Sequence, residues 1–255
     1  MAQRRSPVPP VSIEVDLHCT VEDQRRLLAA SPFFSGLAPA EVRAVQQAFR
    51  QRHYQPGEVI QRSGEPATRL SIVAAGIVKM VRRTFDGQEV LLDFLGAGEH
   101  FGSLEALGDT AVWEEVTAHT ACCILSTTAE QFQDLLERYP AIARAALRIV
   151  AGRLRAAQAA IEQLSAHPVE RRIAATLLHL ADTRGRDRDD GTLIEMPLSR
   201  QDIADMTGST VETASRILSD LRRQGVIDSG RRWVAVRDRS ALARLATAAD
   251  GSGGR

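Results

Sequence analysis

Residues 198–224, LSRQDIADMTGSTVETASRILSDLRRQ, narrow the fold more than any other stretch. They predict two short helices joined by a tight turn. Ser199 is placed to cap the first, and Asp202, three residues on, completes a capping-box-like pair that satisfies free N–H groups. Gly208 supplies the positive φ that ends this helix, and Thr210 caps the next. In the second helix Ala214, Ile217, Leu218 and Leu221 recur at i, i+3, i+4 and i+7, the spacing of one buried face. Val211, Glu212, Ser215, Arg216 and Ser219 are left on the opposite face, open to a partner. Two helices, a glycine turn and a polar second helix describe a helix-turn-helix, whose second helix enters the DNA major groove. An ordinary αα-hairpin shares the spacing, so the rest of the chain has to decide.

The charges balance, 32 basic against 32 acidic in 255 residues. A blanket polyelectrolyte role is therefore excluded, and DNA contact has to be a local patch. A hydrophobic content of 44% suits a globular protein of one large or two modest domains. No apolar run approaches the ~20 residues that span a bilayer, and the N-terminus lacks a charged-then-apolar leader. A cytoplasmic protein with no membrane partner is expected. Three cysteines, Cys19, Cys122 and Cys123, form no disulfide framework. Lys79 is the only lysine. Genome base composition is the simplest reason for that skew, although arginine also suits phosphate and guanine.

In chain order, residues 1–22 are polar, contain SPVPP and read as a flexible arm. A short helix is expected over Ala38–Phe49, with Val42, Val45 and Phe49 inward. From Tyr54 to Leu125 the pattern becomes short strands separated by glycine turns, including a hairpin at Asp86-Gly87. That spacing indicates a sandwich or a rolled barrel. Helix returns over Thr128–Leu136, and a long helix follows Pro140. Its Leu147, Leu154 and Ile161 are seven apart, as are Val150, Ala157 and Leu164, offset by three. Such an a/d seam predicts a two-stranded coiled coil between two copies; the alternative is a helix lying on its own β-domain. A further helix is expected over Val169–Thr183, and RGRDRDDG reads as a solvated loop. After the helix-turn-helix, VIDSGRRWVAV reads as a hairpin turning at Ser229-Gly230, with Arg231 and Arg232 on its rim as a wing. The expected divisions are an arm (1–22), a sensory β-domain (23–138), a dimerisation helix (139–166), a winged helix-turn-helix (167–245) and a disordered tail (246–255).

The chain from about Phe33 to Leu245 resembles the CRP/FNR family of bacterial transcription regulators. The β-region carries that family's turn pattern: Pro56-Gly57-Glu58, Gly64-Glu65, Gly76-Ile77-Val78-Lys79, Asp86-Gly87, Gly98-Glu99 and Phe101-Gly102. LSRQDIADMTG followed by TVETASRIL is similar to its helix-turn-helix. The resemblance implies an α+β chain: an N-terminal β-roll of the cyclic-nucleotide-binding type (a double-stranded β-helix), a long dimerisation helix and a C-terminal winged helix-turn-helix. It implies a homodimeric regulator, not an enzyme, with double-stranded DNA and RNA polymerase as partners. Glu212, Ser215 and Arg216 fall at the family's base-reading positions. A carboxylate accepts from cytosine N4, and an arginine fork suits guanine O6 and N7. Ser199, Arg200, Thr210, Val211, Arg231 and Arg232 complete the expected DNA-binding set. Val-Glu-x-x-Ser-Arg resembles the FNR branch, whose half-site is TTGAT; the CRP branch has arginine where this chain has Val211.

The effector is less legible. By resemblance, the pocket candidates are Gly102, Ser103, Leu104, Val112 and Trp113. Family members that bind cyclic AMP hold it with a Gly-Glu pair and a later Arg-Ser pair; here those places are Gly102-Ser103 and Val112-Trp113. The Glu and the Arg are both absent, and Glu114-Glu115 follow, which argues against cyclic AMP, although backbone N–H groups near Gly102 could still bind an anion. Trp113 either packs over a small ligand or fills the core. An iron–sulfur cluster of the FNR type takes four thiolate ligands, which three cysteines cannot supply. Cys122 and Cys123 are candidate redox thiols, a role that requires exposure and a depressed pKa; otherwise one is a buried small residue and the other incidental. Six histidines (His18, His53, His100, His119, His167, His179) leave haem open, with no axial pair identifiable. No metal site is expected. A cupin-like enzyme lacks its His-x-His, and P-loop, Gly-x-Ser-x-Gly and Cys-x-x-Cys motifs are missing. A non-DNA ligand-binding adaptor is the remaining alternative.

Overall fold

The computed structural model describes residues 19–85, 89–102 and 111–247. They fall into two compact units, the first ending at Glu162 and the second starting at Gln163.

In the first unit, α1 (Val21–Ala30) and α2 (Pro39–Gln46) precede eight strands. These are β1 (Arg50–Tyr54), β2 (Val59–Gln61), β3 (Arg69–Ala75), β4 (Val78–Arg83), β5 (Glu89–Leu95), β6 (His100–Phe101), β7 (Glu115–Ala118) and β8 (Cys122–Thr128). They pair antiparallel in two sheets, ordered β1-β8-β3-β6 and β2-β7-β4-β5. This is the rolled β-domain that the strand spacing predicts. Side chains alternate across a strand, so β8 serves two cores. Leu125 joins Leu70, Ile72, Phe33, Phe34 and Phe132 on the helical side. Cys122 and Ile124 join Val73, Val78 and Val116 between the sheets. The Asp86-Gly87 turn lies outside the described residues, but β4 and β5 pair on either side of it, from Arg83↔Glu89 to Val78↔Leu95.

Then come α3 (Ala129–Arg138), capped by Thr128, and α4 (Pro140–Ala166). Ile142, Ala145 and Ala146 anchor α4 in the unit's core. The seam faces outward: Leu147 is 71% exposed, Leu154 60%, Ile161 64% and Leu164 50%. From Leu154 to Glu162 every residue of α4 is exposed. No described helix is long and apolar enough to cross a membrane.

The second unit contains α5 (Val169–Arg184), β9 (Gly185–Arg188), β10 (Gly191–Ile194), α6 (Arg200–Met206), α7 (Val211–Arg223), β11 (Ile227–Gly230), β12 (Trp233–Val236) and α8 (Arg239–Thr247). Its sheet is ordered β11-β12-β10-β9. Ile173, Leu177 and Leu180 of α5 supply the centre of its core, with Ile203, Leu218, Leu221 and Val234.

Four expectations are corrected. RGRDRDDG is not a loop: its residues build β9 and the turn into β10, with Thr192 Oγ1 donating to Asp187 at 2.9 Å. All four residues of β9 are exposed, so it shows no apolar alternation, and its charges suit an edge strand that must avoid further pairing. The assigned arm ends early, because Thr20 caps α1 through a box with Asp23. Residues 1–18 lie outside the described set. At the other end α8 runs to Thr247, two residues into the assigned tail, after Asp238 accepts from the Ala241 N–H at 2.8 Å. The wing turns at Arg231-Arg232, not Ser229-Gly230, since Gly230 pairs with Trp233.

Candidate nucleic-acid interface and β-roll cavity

The helix-turn-helix forms as its spacing predicts. Ser199 Oγ accepts from the Asp202 N–H at 3.1 Å, and Asp202 accepts in return from the Ser199 N–H at 2.9 Å. Gly208 has φ +55, the left-handed value that ends α6. Buried Thr207 fastens this turn, donating to the Ile203 carbonyl at 2.7 Å and pairing with Ser209 Oγ at 3.0 Å. Thr210 then caps α7 by accepting from the Thr213 N–H at 3.2 Å. Ala214, Ile217, Leu218 and Leu221 are buried.

The opposite face of α7 presents Glu212, Arg216 and Ser219 exposed, with Val211 and Ser215 half-buried. Glu212 and Arg216, one turn apart, make no hydrogen bond or ion pair among the described residues. Their donors and acceptors are thus free for base edges. Ser199 and Thr210 have hydroxyls committed to caps. In the wing, Arg231 and Arg232 are exposed, and Arg232 takes φ +63, a left-handed conformation unusual for a side chain of its size.

Arg200 is placed differently from the expectation of a free DNA contact. Its Nη2 donates to Ser229 Oγ of β11 at 3.2 Å, while Arg222 Nη1 of α7 donates to the Ser229 carbonyl at 3.4 Å. Burial, and then the neighbouring Arg222, hold the Arg200 guanidinium below its ordinary pKa. Both arginines thereby hold the wing against the helices. Arg237, which the sequence did not single out, links the wing to the β9–β10 turn through Asp228 at 3.3 Å and through Asp190. Its side chain is 8% exposed. Nothing in the local pattern around Arg237 signals this role.

In the β-roll, Gly102 has φ +88, and a Cβ there would lie 2.7 Å from the Arg69 carbonyl and 2.9 Å from Gln61 Oε1. Ser103 and Leu104 lie outside the described residues. Val112 is buried in an extended exchange, its N–H donating to the Glu65 carbonyl and its carbonyl accepting from Gly64, both at 2.8 Å. An apolar side chain stands there, unable to bind a phosphate. Trp113 does not fill the core: it is 55% exposed, with the Arg82 guanidinium 5.7 Å from its ring centre.

Arg153 of α4 donates to the His100 carbonyl at 2.8 Å, with Glu114, Asp93 and Glu99 close enough to act on its charge. His100 is buried with its ring edge-on to Phe33 at 4.6 Å. Burial, aided by Arg153, pushes its pKa down to about 3. Cys122 and Cys123 are fully buried, and burial is the main force raising each thiol to about 12. The exposure and low pKa expected of redox thiols are both missing. Cys123 instead shares a hydrogen bond with Cys19, a pairing the sequence spacing could not show.

The strands border an open cavity of about 350 Å³ lined by Arg52, Tyr54, Gln61, Arg69, Ser71 and Ser126, among others, with Arg52 and Arg69 exposed. Of the described pocket candidates only Val112 borders it.

Residues 51–139 match the family model of the cyclic nucleotide-binding domain, and residues 171–245 match the Crp-like helix-turn-helix domain. The cyclic AMP receptor protein of Thermus thermophilus is 32% identical over 86% of this chain and 98% of its own. The global nitrogen regulator of a Nostoc species is 30% identical over 72% of this chain and 83% of its own. Among solved structures, FixK2 of Bradyrhizobium japonicum superposes with a TM-score of 0.70 at 27% identity, covering 79% of this chain and 98% of that one. Such similarity spans both units, the β-roll as well as the winged helices. The chain therefore belongs to the CRP/FNR family of DNA-binding transcription regulators.

Proposed function

We propose that the protein is a cytoplasmic homodimer that reads an inverted repeat of TTGAT-like half-sites, under control of an effector sensed by the β-roll. The observation that carries the reading is the unpartnered pair Glu212 and Arg216 on the outer face of α7. A carboxylate and a guanidinium one helical turn apart suit neighbouring cytosine and guanine edges in the major groove. The exposed seam of α4 supports two copies, because five large apolar side chains in heptad register are otherwise left in water. A twofold protein then matches a twofold site, its recognition helices about 34 Å apart.

Cyclic AMP is a poor candidate effector for this chain. Val112 supplies no guanidinium, Trp113 points outward, and Arg153 is engaged by the His100 carbonyl among three carboxylates. The effector shifts the populations of two dimer arrangements that differ in the spacing of the recognition helices, with α4 joining sensor to reader. RNA polymerase is the partner at the promoter. Selection of binding sites from random DNA by the full chain tests the reading: an inverted TTGAT-like repeat is expected, and recovery of unrelated sequences would reject it.

A further inference from the structure

Strand register sets the chemistry of the roll's inner face. Arg50, Arg52 and Tyr54 of β1 stand opposite Ser126, Ile124 and Cys122 of β8, and Ser71 and Val73 of β3 continue the rows of Ser126 and Ile124. Toward Cys122 and Val73 this face is apolar and joins the core between the sheets. Toward Ser71 and Ser126 it turns polar and opens into the 350 Å³ cavity. A second cavity of about 250 Å³ shares Arg52, Tyr54, Arg69 and Ser126 with the first, so the same two guanidiniums border both.

The charges in this place are unbalanced. Neither the Arg52 nor the Arg69 guanidinium has a hydrogen bond or ion pair among the described residues; Arg52 only lies 5.1 Å above the Tyr54 ring. The one acid in the lining, Glu65, is already engaged, accepting from the Arg62 N–H at 3.3 Å and lying 3.8 Å from its guanidinium. Ser71 and Ser126 hydroxyls are 3.0 Å apart, so whichever donates to the other, one hydroxyl proton stays free. Ile60, Phe101 and Val112 supply an apolar wall. A pocket of this size with an apolar wall and a few convergent polar groups has the make-up of a small-molecule site.

We infer that this cavity binds a small organic anion, its carboxylate or phosphate held between Arg52 and Arg69 and its apolar body against Ile60, Phe101 and Val112. Guanidinium forks match both kinds of anion. Of the described places where cyclic AMP-binding relatives hold their ligand, Gly102 and Trp113 do not line it and Val112 does, so what sets the site apart is its pair of arginines on β1 and β3. Its regulatory meaning rests on the β-roll being the sensor; binding itself does not.

Calorimetric titration of the full chain with phenyl phosphate, benzoate and neutral benzyl alcohol tests it. At least one anion is expected to bind saturably and the alcohol not, the better anion identifying the head group. Arg52→Gln and Arg69→Gln are each expected to weaken that binding about tenfold, the loss of one charge-assisted contact. Both variants should still bind DNA as the wild type does, which keeps a failed fold distinct from a lost site. Absence of saturable binding by either anion, or variants that bind as the wild type, would overturn the inference. Neither result bears on which DNA sequence α7 reads.

Discussion

Arg200 opens helix α6 and donates to the Ser229 hydroxyl of strand β11 at 3.2 Å, so one side chain couples the helix-turn-helix to its wing. A surface phosphate contact would cost little stability when removed. A partly buried guanidinium that fastens two elements should cost more, about 1 kcal/mol for the lost hydrogen bond. Arg200→Ala is therefore expected to lower the urea midpoint as well as DNA affinity. Weakened DNA binding at unchanged stability would return Arg200 to the list of plain DNA contacts.

Arg216 has the opposite character: exposed, unpartnered, on the outer face of α7. For Arg216→Ala we expect about 1–3 kcal/mol lost on the selected site and a relaxed preference at one base pair. Electrophoretic mobility titrations on the selected site and on single-base variants measure both. Equal weakening on random DNA would mean that Arg216 holds only phosphate.

The contrast between these arginines marks what the sequence could reveal. Caps, helical periodicity and the heptad seam are local patterns, and α6, α7 and α4 follow them closely. The wing illustrates the limit. Ser229-Gly230 carries the composition of a turn, yet a Cβ on Gly230 would lie 2.3 Å from Trp233 Nε1, so the glycine makes room for an indole across the hairpin. The turn falls instead on Arg231-Arg232, where Arg232 accepts a left-handed backbone. Similarly, β9 is held by pairing with β10 and carries no buried face that a hydrophobic pattern could reveal. The roll's Arg52–Arg69 cavity assembles residues from β1 and β3 through the intervening β8, a neighbourhood set by register and not by spacing. The α1 helix was readable but faint: its Thr20–Asp23 capping box is present in the sequence, while only Leu28 is buried.

Leu154 lies in the outward seam, 60% exposed in the single chain. A charge there leaves the monomer's core intact and falls at the centre of the proposed pairing of two α4 helices. Leu154→Lys should convert the dimer to monomer in analytical ultracentrifugation, with the circular dichroism of each chain little changed. Affinity for the inverted repeat should fall to the level of a single half-site. A variant that remains dimeric would show that α4 is not the pairing element.

His100 makes a prediction in acid. Its ring is buried against Phe33, and burial, aided by Arg153, pushes its pKa from 6.5 down to about 3. In the unfolded chain the imidazole regains its ordinary value, so below pH 6.5 the unfolded state takes up a proton that the folded state refuses. The stabilising contribution is complete above pH 6.5 and is lost progressively as pH falls toward 3, with a slope approaching about 1.4 kcal/mol per pH unit. His100→Leu removes the titrating ring and its unpartnered Nε2 while keeping the backbone carbonyl that Arg153 binds. Urea unfolding between pH 7 and pH 4 should therefore show a shallower loss of stability for His100→Leu than for the wild type. Parallel curves would mean that His100 titrates in the folded protein as freely as in water.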